Sequence, residues 1–279
     1  MKLTVLVDNN TLIDRYLTGE PAVSYFIEAD RKKILFDTGY SDAFIRNAEK
    51  MNIDILGLDH IVLSHAHLDH TWGLEPLVKL YTEARMEGLD NSEPDLIAHP
   101  LIFNSRTDSG MQEIGTLISP ERLSNIFRFQ LSSEPRWITE NVVFLGEIPR
   151  RFDFENDPLE SKININGKKT EDKLLDDTAL AIRTKNGLII VTGCSHSGIC
   201  NIVEYTKKLC DEERIADIIG GFHLLNPPEK KIKGIIDYFQ KLNIREVHAC
   251  HCTDLRSKIA LSEVCDLKEV GCGLQLEFE

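Results

Sequence analysis

Short apolar runs alternate along this chain with stretches of helical periodicity, and their order predicts an alternating α/β protein. LTVLV (3–7), VSYFIEA (23–29) and KKILFDTG (32–39) read as strands rich in Val, Ile, Phe and Tyr. The charged turn in EADRKKI predicts that the second and third form a hairpin. In SDAFIRNAEKMNI, Phe44, Ile45, Ala48 and Met51 fall at helical spacing, with Ser41 placed to cap the helix. HIVLSHAHLDHTWGLEPLVKLY then predicts a strand, a turn rich in histidine, and a helix from about Leu74. DLIAHPLIF (95–103) predicts a further buried strand.

Periodicity weakens over residues 104–140, where NSRTDSG and LSSEPRW are rich in turn residues. This segment predicts an insertion or a cap over a cleft. Within it SPERLSNIF opens a short helix, with Ser119 as cap and Pro120 at the first position. The last third repeats the grammar of the first. NVVFLGEI (141–148) is a strand and DFENDPLESKININGKK a polar loop. TALAIRTKNGLIIVTGCSH is a hairpin turning at Asn186-Gly187. Helix GICNIVEYTKKLC, strand ADIIGGFH, helix PEKKIKGIIDYFQKL and strand REVHACHC follow. Both halves therefore run hairpin, helix, then strand ending in histidine, without a sequence repeat of fixed period. That shared order predicts two mixed β-sheets packed together with helices outside. The expected fold is a four-layer αββα sandwich forming a single domain over residues 1–279.

Composition narrows the class. At 42% hydrophobic and 28% charged residues the chain can bury a sizeable core. Its net charge of −13 opposes contact with nucleic acid or anionic membrane. No stretch approaches the roughly 20 apolar residues that span a bilayer. The N-terminal MKLTVLVDNN lacks the apolar length and cleavage site of a secretory signal. The seven cysteines are spaced unlike a stapled mini-protein and read as reduced thiols. A cytoplasmic protein acting on a small molecule is expected, with neither nucleic acid nor membrane as partner.

The stretch IVLSHAHLDH (61–70) makes the picture chemical, because three histidines and an aspartate fall within six positions. Alternate side chains of an extended segment share a face, so His65 and His67 can point at one locus. The chain then turns and can bring Asp69 and His70 round to it. Neutral imidazole and carboxylate are ligands for Zn²⁺, Mn²⁺ or Fe.

SHAHLDH resembles the His-x-His-x-Asp-His signature of the metallo-β-lactamase superfamily, whose fold is the αββα sandwich. FDTG (36–39) resembles that superfamily's first motif, and HTWGL its following helix start. The resemblance implies two divalent metal ions, zinc first, with Mn or Fe as alternatives. His65 and His67 would bind one, and Asp69 and His70 the other, with Asp69 also the catalytic group. Asp37 would orient the metal-binding histidines. Further along the chain departs from the family pattern. GLIIVTG ends in Cys194-Ser195-His196, with cysteine in the place usually held by aspartate. Asp176 and Asp177 stand where a third histidine is expected. His196 becomes the candidate for the missing imidazole, with Cys194 and Asp177 in reserve. IIGGFH resembles the final motif and makes His223 a ligand. VHACHC (247–252) offers His251 as a substrate contact or a further ligand. His60 and His99 read as structural.

TGCSHSGICNIV together with GGFHL narrows the resemblance to a branch related to archaeal dihydropteroate-synthase-like proteins. These are the dihydropterin-methyl-ribofuranosylaminobenzene phosphate synthases and their relatives. Three functions follow as expectations. The first is a binuclear metal-dependent hydrolase in which a metal-bound hydroxide attacks an ester, lactone or phosphodiester. The second is a transferase condensing a dihydropterin diphosphate with a ribofuranosylaminobenzene phosphate, so a phosphate-bearing substrate. The third is a non-catalytic, metal-dependent binding protein. Lys230, Lys231 and Lys233 read as a solvated helix face, and Trp72 as pocket wall or packing.

Overall fold

Strand and helix alternate as the apolar pattern requires, giving a mixed α/β fold. The computed structural model describes residues 1–110, 112–156, 161–242, 244 and 246–279. In chain order the first elements are β1 (Lys2–Val7), β2 (Ser24–Ala29), β3 (Lys32–Phe36), α1 (Ala43–Lys50) and β4 (His60–Val62). Next come α2 (Leu68–Thr71), α3 (Leu74–Glu87), β5 (Asp95–Ala98), β6 (Arg106–Thr107), α4 (Pro120–Leu123) and β7 (Arg128–Leu131). β8 (Arg136–Trp137), β9 (Val142–Phe144), β10 (Lys162–Ile165), β11 (Lys168–Glu171), β12 (Ala179–Thr184) and β13 (Gly187–Thr192) follow. The chain closes with α5 (Ile199–Cys210), β14 (Ile215–Gly221), α6 (Glu229–Leu242), β15 (Glu246–Cys250), α7 (Leu255–Ser262) and β16 (Gln275–Glu277). The described residues cluster into two compact units. One lies within residues 1–133, 159–176 and 271–277, the other within 134–158, 177–270 and 278–279.

In the first unit a seven-stranded mixed sheet runs β16-β1-β2-β3-β4-β5-β7, accompanied by the three-stranded sheet β11-β10-β6. β2 and β3 form the expected antiparallel hairpin, while β3, β4 and β5 are parallel neighbours. Helices α1 and α3 lay Phe44, Ala48, Leu74, Leu77 and Tyr81 into one core with Leu6, Phe26, Leu35 and Ile61 of the sheet. Ser41 sits one residue too early to be the cap. The helix starts at Ala43, whose N–H donates to Ser41 Oγ at 3.1 Å. The strand read over 95–103 stops at Ala98. Pro100 has no N–H for the ladder, and Pro100–Phe103 turns into a 3₁₀ helix capped by the His99 ring. Ser119 does cap α4, accepting the Arg122 N–H, with Pro120 at the first position. The polar stretch 153–169 contains the strand β10 and the start of β11, joined at Asn166-Gly167, with φ of 52° and 82°. Its residues 157–160 lie outside the described residues, as does Arg245 at the head of the last predicted strand.

The second unit is a six-stranded sheet, β15-β14-β13-β12-β9-β8. β12 and β13 form the predicted hairpin. Thr184 pairs with Gly187, so the two-residue loop is Lys185-Asn186, one position earlier than read. β13, β14 and β15 are parallel. Ile202, Val203, Ile235, Phe239 and Leu261, from α5, α6 and α7, share a core with Ala181, Ile190, Ile218 and Val247. No helix among the described residues is long and apolar enough to cross a membrane. Each unit thus has a run of parallel neighbours, β3-β4-β5-β7 and β13-β14-β15, and the C-terminal ends of strands in these runs carry the residues of interest.

The first unit's two motifs are clamped together by backbone. Thr38 N–H and Oγ1 both donate to His70 O, at 2.9 and 3.0 Å, and Gly73 N–H donates to Gly39 O at 3.0 Å. A Cβ on Gly73 would lie 1.9 Å from Thr38 O. Gly73→Ala is therefore expected to cost about 1–3 kcal/mol through overpacking. The readout is a lowered midpoint of denaturant unfolding; an unchanged midpoint would show that the clamp is slack.

Candidate metal centre

In the first unit the chain leaves β4 and turns immediately. His65 and His70 are fully buried, and His67 and Asp69 are half-buried. The His65 ring centroid lies 4.6 Å from that of His67 and 4.1 Å from that of His70. Asp69 Oδ2 is 3.6 Å from His70 Nε2. One short turn therefore brings these four side chains together.

Asp37 stands at the end of β3 with φ of 58° and no exposed surface. Its Oδ1 accepts the Ser64 N–H, and its Oδ2 accepts the Ser64 hydroxyl and the His70 Nδ1–H, each at 2.7 Å. A carboxylate against Nδ1 keeps the proton there and makes Nε2 the ligand atom of His70. Having given its own proton to Asp37, the Ser64 hydroxyl is left to accept from His65 Nδ1, 3.0 Å away, which selects Nε2 on that ring too. Burial pushes the His67 imidazole down to about 4 against the pull of Asp69, and the Arg106 charge adds to the lowering. At neutral pH His67 is in its ligating, uncharged form.

Arg106 is invisible to sequence reasoning at this site. Its guanidinium is fully buried, 2.7 Å from Asp172 and 2.9 Å from Asp176. Asp176, read from sequence only as standing in a histidine's place, accepts the Ala66 N–H at 3.0 Å through Oδ2. No local pattern announces a contact spanning 110 residues. Trp72 is fixed by its Nε1–H to Gly115 O at 2.8 Å and stacks on Tyr40 at 5.2 Å.

In the second unit the ends of β13, β14 and β15 carry Cys194 to His196, His223 and His251. Ser195, His223 and His251 have φ of 61°, 49° and 50°, a left-handed backbone that non-glycine residues adopt at a cost. The His196 and His223 rings are 4.2 Å apart. Cys194 Sγ lies within 4.8 Å of a ring nitrogen of His196 and of one of His251. Asp177 Oδ2 accepts both the N–H and the hydroxyl of Ser197, so this reserve ligand braces the loop that bears His196.

Glycine is required before His223, because a Cβ on Gly220 would fall 2.2 Å from Thr192 O. The His223 N–H donates to Cys252 Sγ at 3.3 Å, and Lys231 Nζ donates to His223 O at 3.2 Å. Lys231 is only 5% exposed, so the solvated reading of this lysine is corrected: the first turn of α6 directs it inward. Burial pushes the Cys252 thiol up. Hydrogen bonds with Cys194 and His223 and the charge of the His251 ring more than offset this and hold it well below its usual range. His60, at the start of β4, lies 3.7 Å from Asp95, and His99 caps a turn.

A family model for the metallo-beta-lactamase superfamily matches residues 17–106. The chain is also 31% identical to the 7,8-dihydropterin-6-methyl-4-(beta-D-ribofuranosyl)-aminobenzene-5'-phosphate synthase of Methanocaldococcus jannaschii, over 100% of this chain and 97% of that protein. The chain belongs to the metallo-β-lactamase superfamily. Among solved structures of the superfamily, Tm1679, a metal-dependent hydrolase, matches at a TM-score of 0.83 and 27% identity, covering 100% of this chain and 99% of its own. A diphosphatase from the PhnP family shares the fold, with a TM-score of 0.55 at 18% identity over 100% and 98% of the two chains. A metallo-β-lactamase fold is an enzyme fold that suggests divalent metal binding. The imidazole and carboxylate donors in the first unit, and the imidazoles and thiol in the second, suit such ions.

Burial makes the His67 imidazole harder to protonate in the folded protein than in the unfolded chain. Its native pKa of about 4 lies below the unfolded value near 6.5, so folding favours the neutral ring. The destabilisation that His67 contributes is absent above pH 6.5 and grows as pH drops towards 4. In metal-free protein the denaturation midpoint should therefore be lower at pH 4.5 than at pH 7, and His67→Gln should shrink that difference. An equal drop in the variant would contradict the assignment.

Proposed function

We propose that the protein is a binuclear metal-dependent hydrolase acting on an ester, lactone or phosphodiester of a small molecule. His65, His67, Asp69, His70, His196 and His223 are its metal ligands. The observation that carries this reading is the histidine turn, in which a buried carboxylate and a hydroxyl set which nitrogen of His70 and His65 is offered. Two divalent ions, zinc first for imidazole-rich donors with Mn or Fe as alternatives, supply a nucleophile from water at neutral pH and offset developing negative charge.

The chain's own residues do the remaining work. Asp37 keeps the proton on His70 Nδ1 and so holds that ring in one orientation. Asp69, whose side chain keeps 24% of its surface exposed, is the carboxylate placed to orient the nucleophile and take its proton. His196 and His223 present adjacent imidazoles from two parallel strand ends. Cys194 and His251 are near enough to each other to act as a further ligand and a substrate contact.

A second reading has its own support, the full-length relationship to a protein named as a synthase. In it the substrate bears phosphate, an aminobenzene compound takes the place of water, and the diphosphate of a dihydropterin leaves. The metal ligands and Asp37 keep the same roles.

Elemental analysis of protein purified without chelator tests the shared premise. Near two divalent ions per chain are expected, falling in both His67→Ala and His196→Ala. No bound metal in the parent, even after reconstitution, would overturn it. Assays with water alone and with an added arylamine then separate the readings. Turnover without arylamine supports the hydrolase, and turnover only with it supports the transferase.

A further inference from the structure

We infer that Arg106 is a positioning residue for the metal ligands His65 and His67, acting through Asp176 on the backbone between them. This rests on the proposed metal-binding role of the histidine turn and adds to it a residue on a distant strand.

The guanidinium has no exposed surface. Nε lies 2.7 Å from Asp172 Oδ2, Nη2 lies 2.9 Å from Asp176 Oδ2, and Nη1 donates to Leu101 O and Asn104 O at 3.1 and 3.2 Å. Asp172 spends its other oxygen on the Leu174 N–H at 2.8 Å, which ties it to its own segment. Asp176 is different. The oxygen that faces Arg106 also accepts the Ala66 N–H, and Ala66 is the single residue separating His65 from His67. The chain between the two histidines is thus held from below by a carboxylate whose own position is fixed by a buried cation.

Arginine is needed for this geometry. Its planar fork meets two carboxylates and two carbonyls at once, whereas a lysine ammonium is a single point with three donors. A single ammonium in its place keeps the charge but cannot stay on both carboxylates at once, so Asp176 would lose its anchor and turn away. The Ala66 N–H would then lose its acceptor, and both imidazoles would lose the fixed backbone that sets their rotamers. Outer partners of metal ligands typically change affinity by about 10–100-fold when removed.

The test uses Arg106→Lys, which keeps the charge, and Asp176→Ala, which removes the acceptor directly. Leu77→Ala, in the helix-side core, controls for loss of stability alone. Two quantities are read on each folded protein: the Zn²⁺ dissociation constant by competition with a chromophoric chelator, and amide exchange of the peptide spanning residues 63–70 without metal. Arg106→Lys and Asp176→Ala should each weaken Zn²⁺ binding by about 10–100-fold and speed exchange of that peptide. Leu77→Ala should leave Zn²⁺ affinity near the parent's, although it lowers thermal stability. Parent-like affinity and exchange in Arg106→Lys or Asp176→Ala would overturn the inference, as would equal weakening in Leu77→Ala. Exchange is measured without metal, so it judges Arg106 even where the parent binds no zinc and the proposed function fails.

Discussion

One buried carboxylate, that of Asp37, accepts from the Ser64 N–H, the Ser64 hydroxyl and His70 Nδ1, and the shape of the histidine turn depends on it. A charge removed from water is tolerated only where donors replace its hydration, and here those donors all belong to the turn. Asp37 reaches them from a left-handed backbone at the end of β3, a conformation that costs about 1–2 kcal/mol. Its three hydrogen bonds offset that strain. Thr38 and Gly39, next in the chain, hold the carbonyl of His70 and the amide of Gly73. FDTG and SHAHLDHTWG are therefore one structural object, although more than 20 residues separate them.

The second unit solves the same problem with other residues. A strand that ends at a functional site leaves backbone groups that its ladder cannot satisfy, and each needs another partner. Asp177 serves the amide and hydroxyl of Ser197, and Lys231 with Cys252 serves the carbonyl and amide of His223. Glu155 does likewise at the start of α5, taking the Cys200 and Asn201 amides at 2.9 Å. Side chains that must present one nitrogen in one direction depend on such fixed supports. Ligand-type residues and left-handed backbone coincide at these strand ends because the strain is held in place by these contacts.

How much of this could be read from the residues follows from range. Val, Ile and Phe runs with charged or Asn-Gly turns mark β2–β3 and β12–β13, because hairpin signals are local. His-x-His-x-Asp-His is legible because alternation and one turn suffice to gather its side chains. The β10–β11 hairpin hid in a polar stretch: only Ile163 of its first strand is buried, and its second strand is wholly exposed. His99-Pro100 cut a strand short through the proline's missing donor, which the apolar run around it concealed. Lys231 looked solvated beside Lys230 and Lys233, since helical phase relative to a neighbouring loop is a tertiary fact. Arg106 and Asp172 carry no sequence signal, because an ion pair bridging 66 residues leaves no periodic trace, and Asp176 is legible only as the residue in a histidine's place.

Imidazoles of the histidine turn, in tautomers set by Asp37 and Ser64, are the groups proposed to hold metal. X-ray absorption at the zinc edge of reconstituted protein tests this most directly. It should give a first shell dominated by nitrogen and oxygen, with the multiple-scattering signature of several imidazoles per zinc. A shell dominated by sulfur, with no imidazole scattering, would place the metal on the cysteines instead and contradict the account.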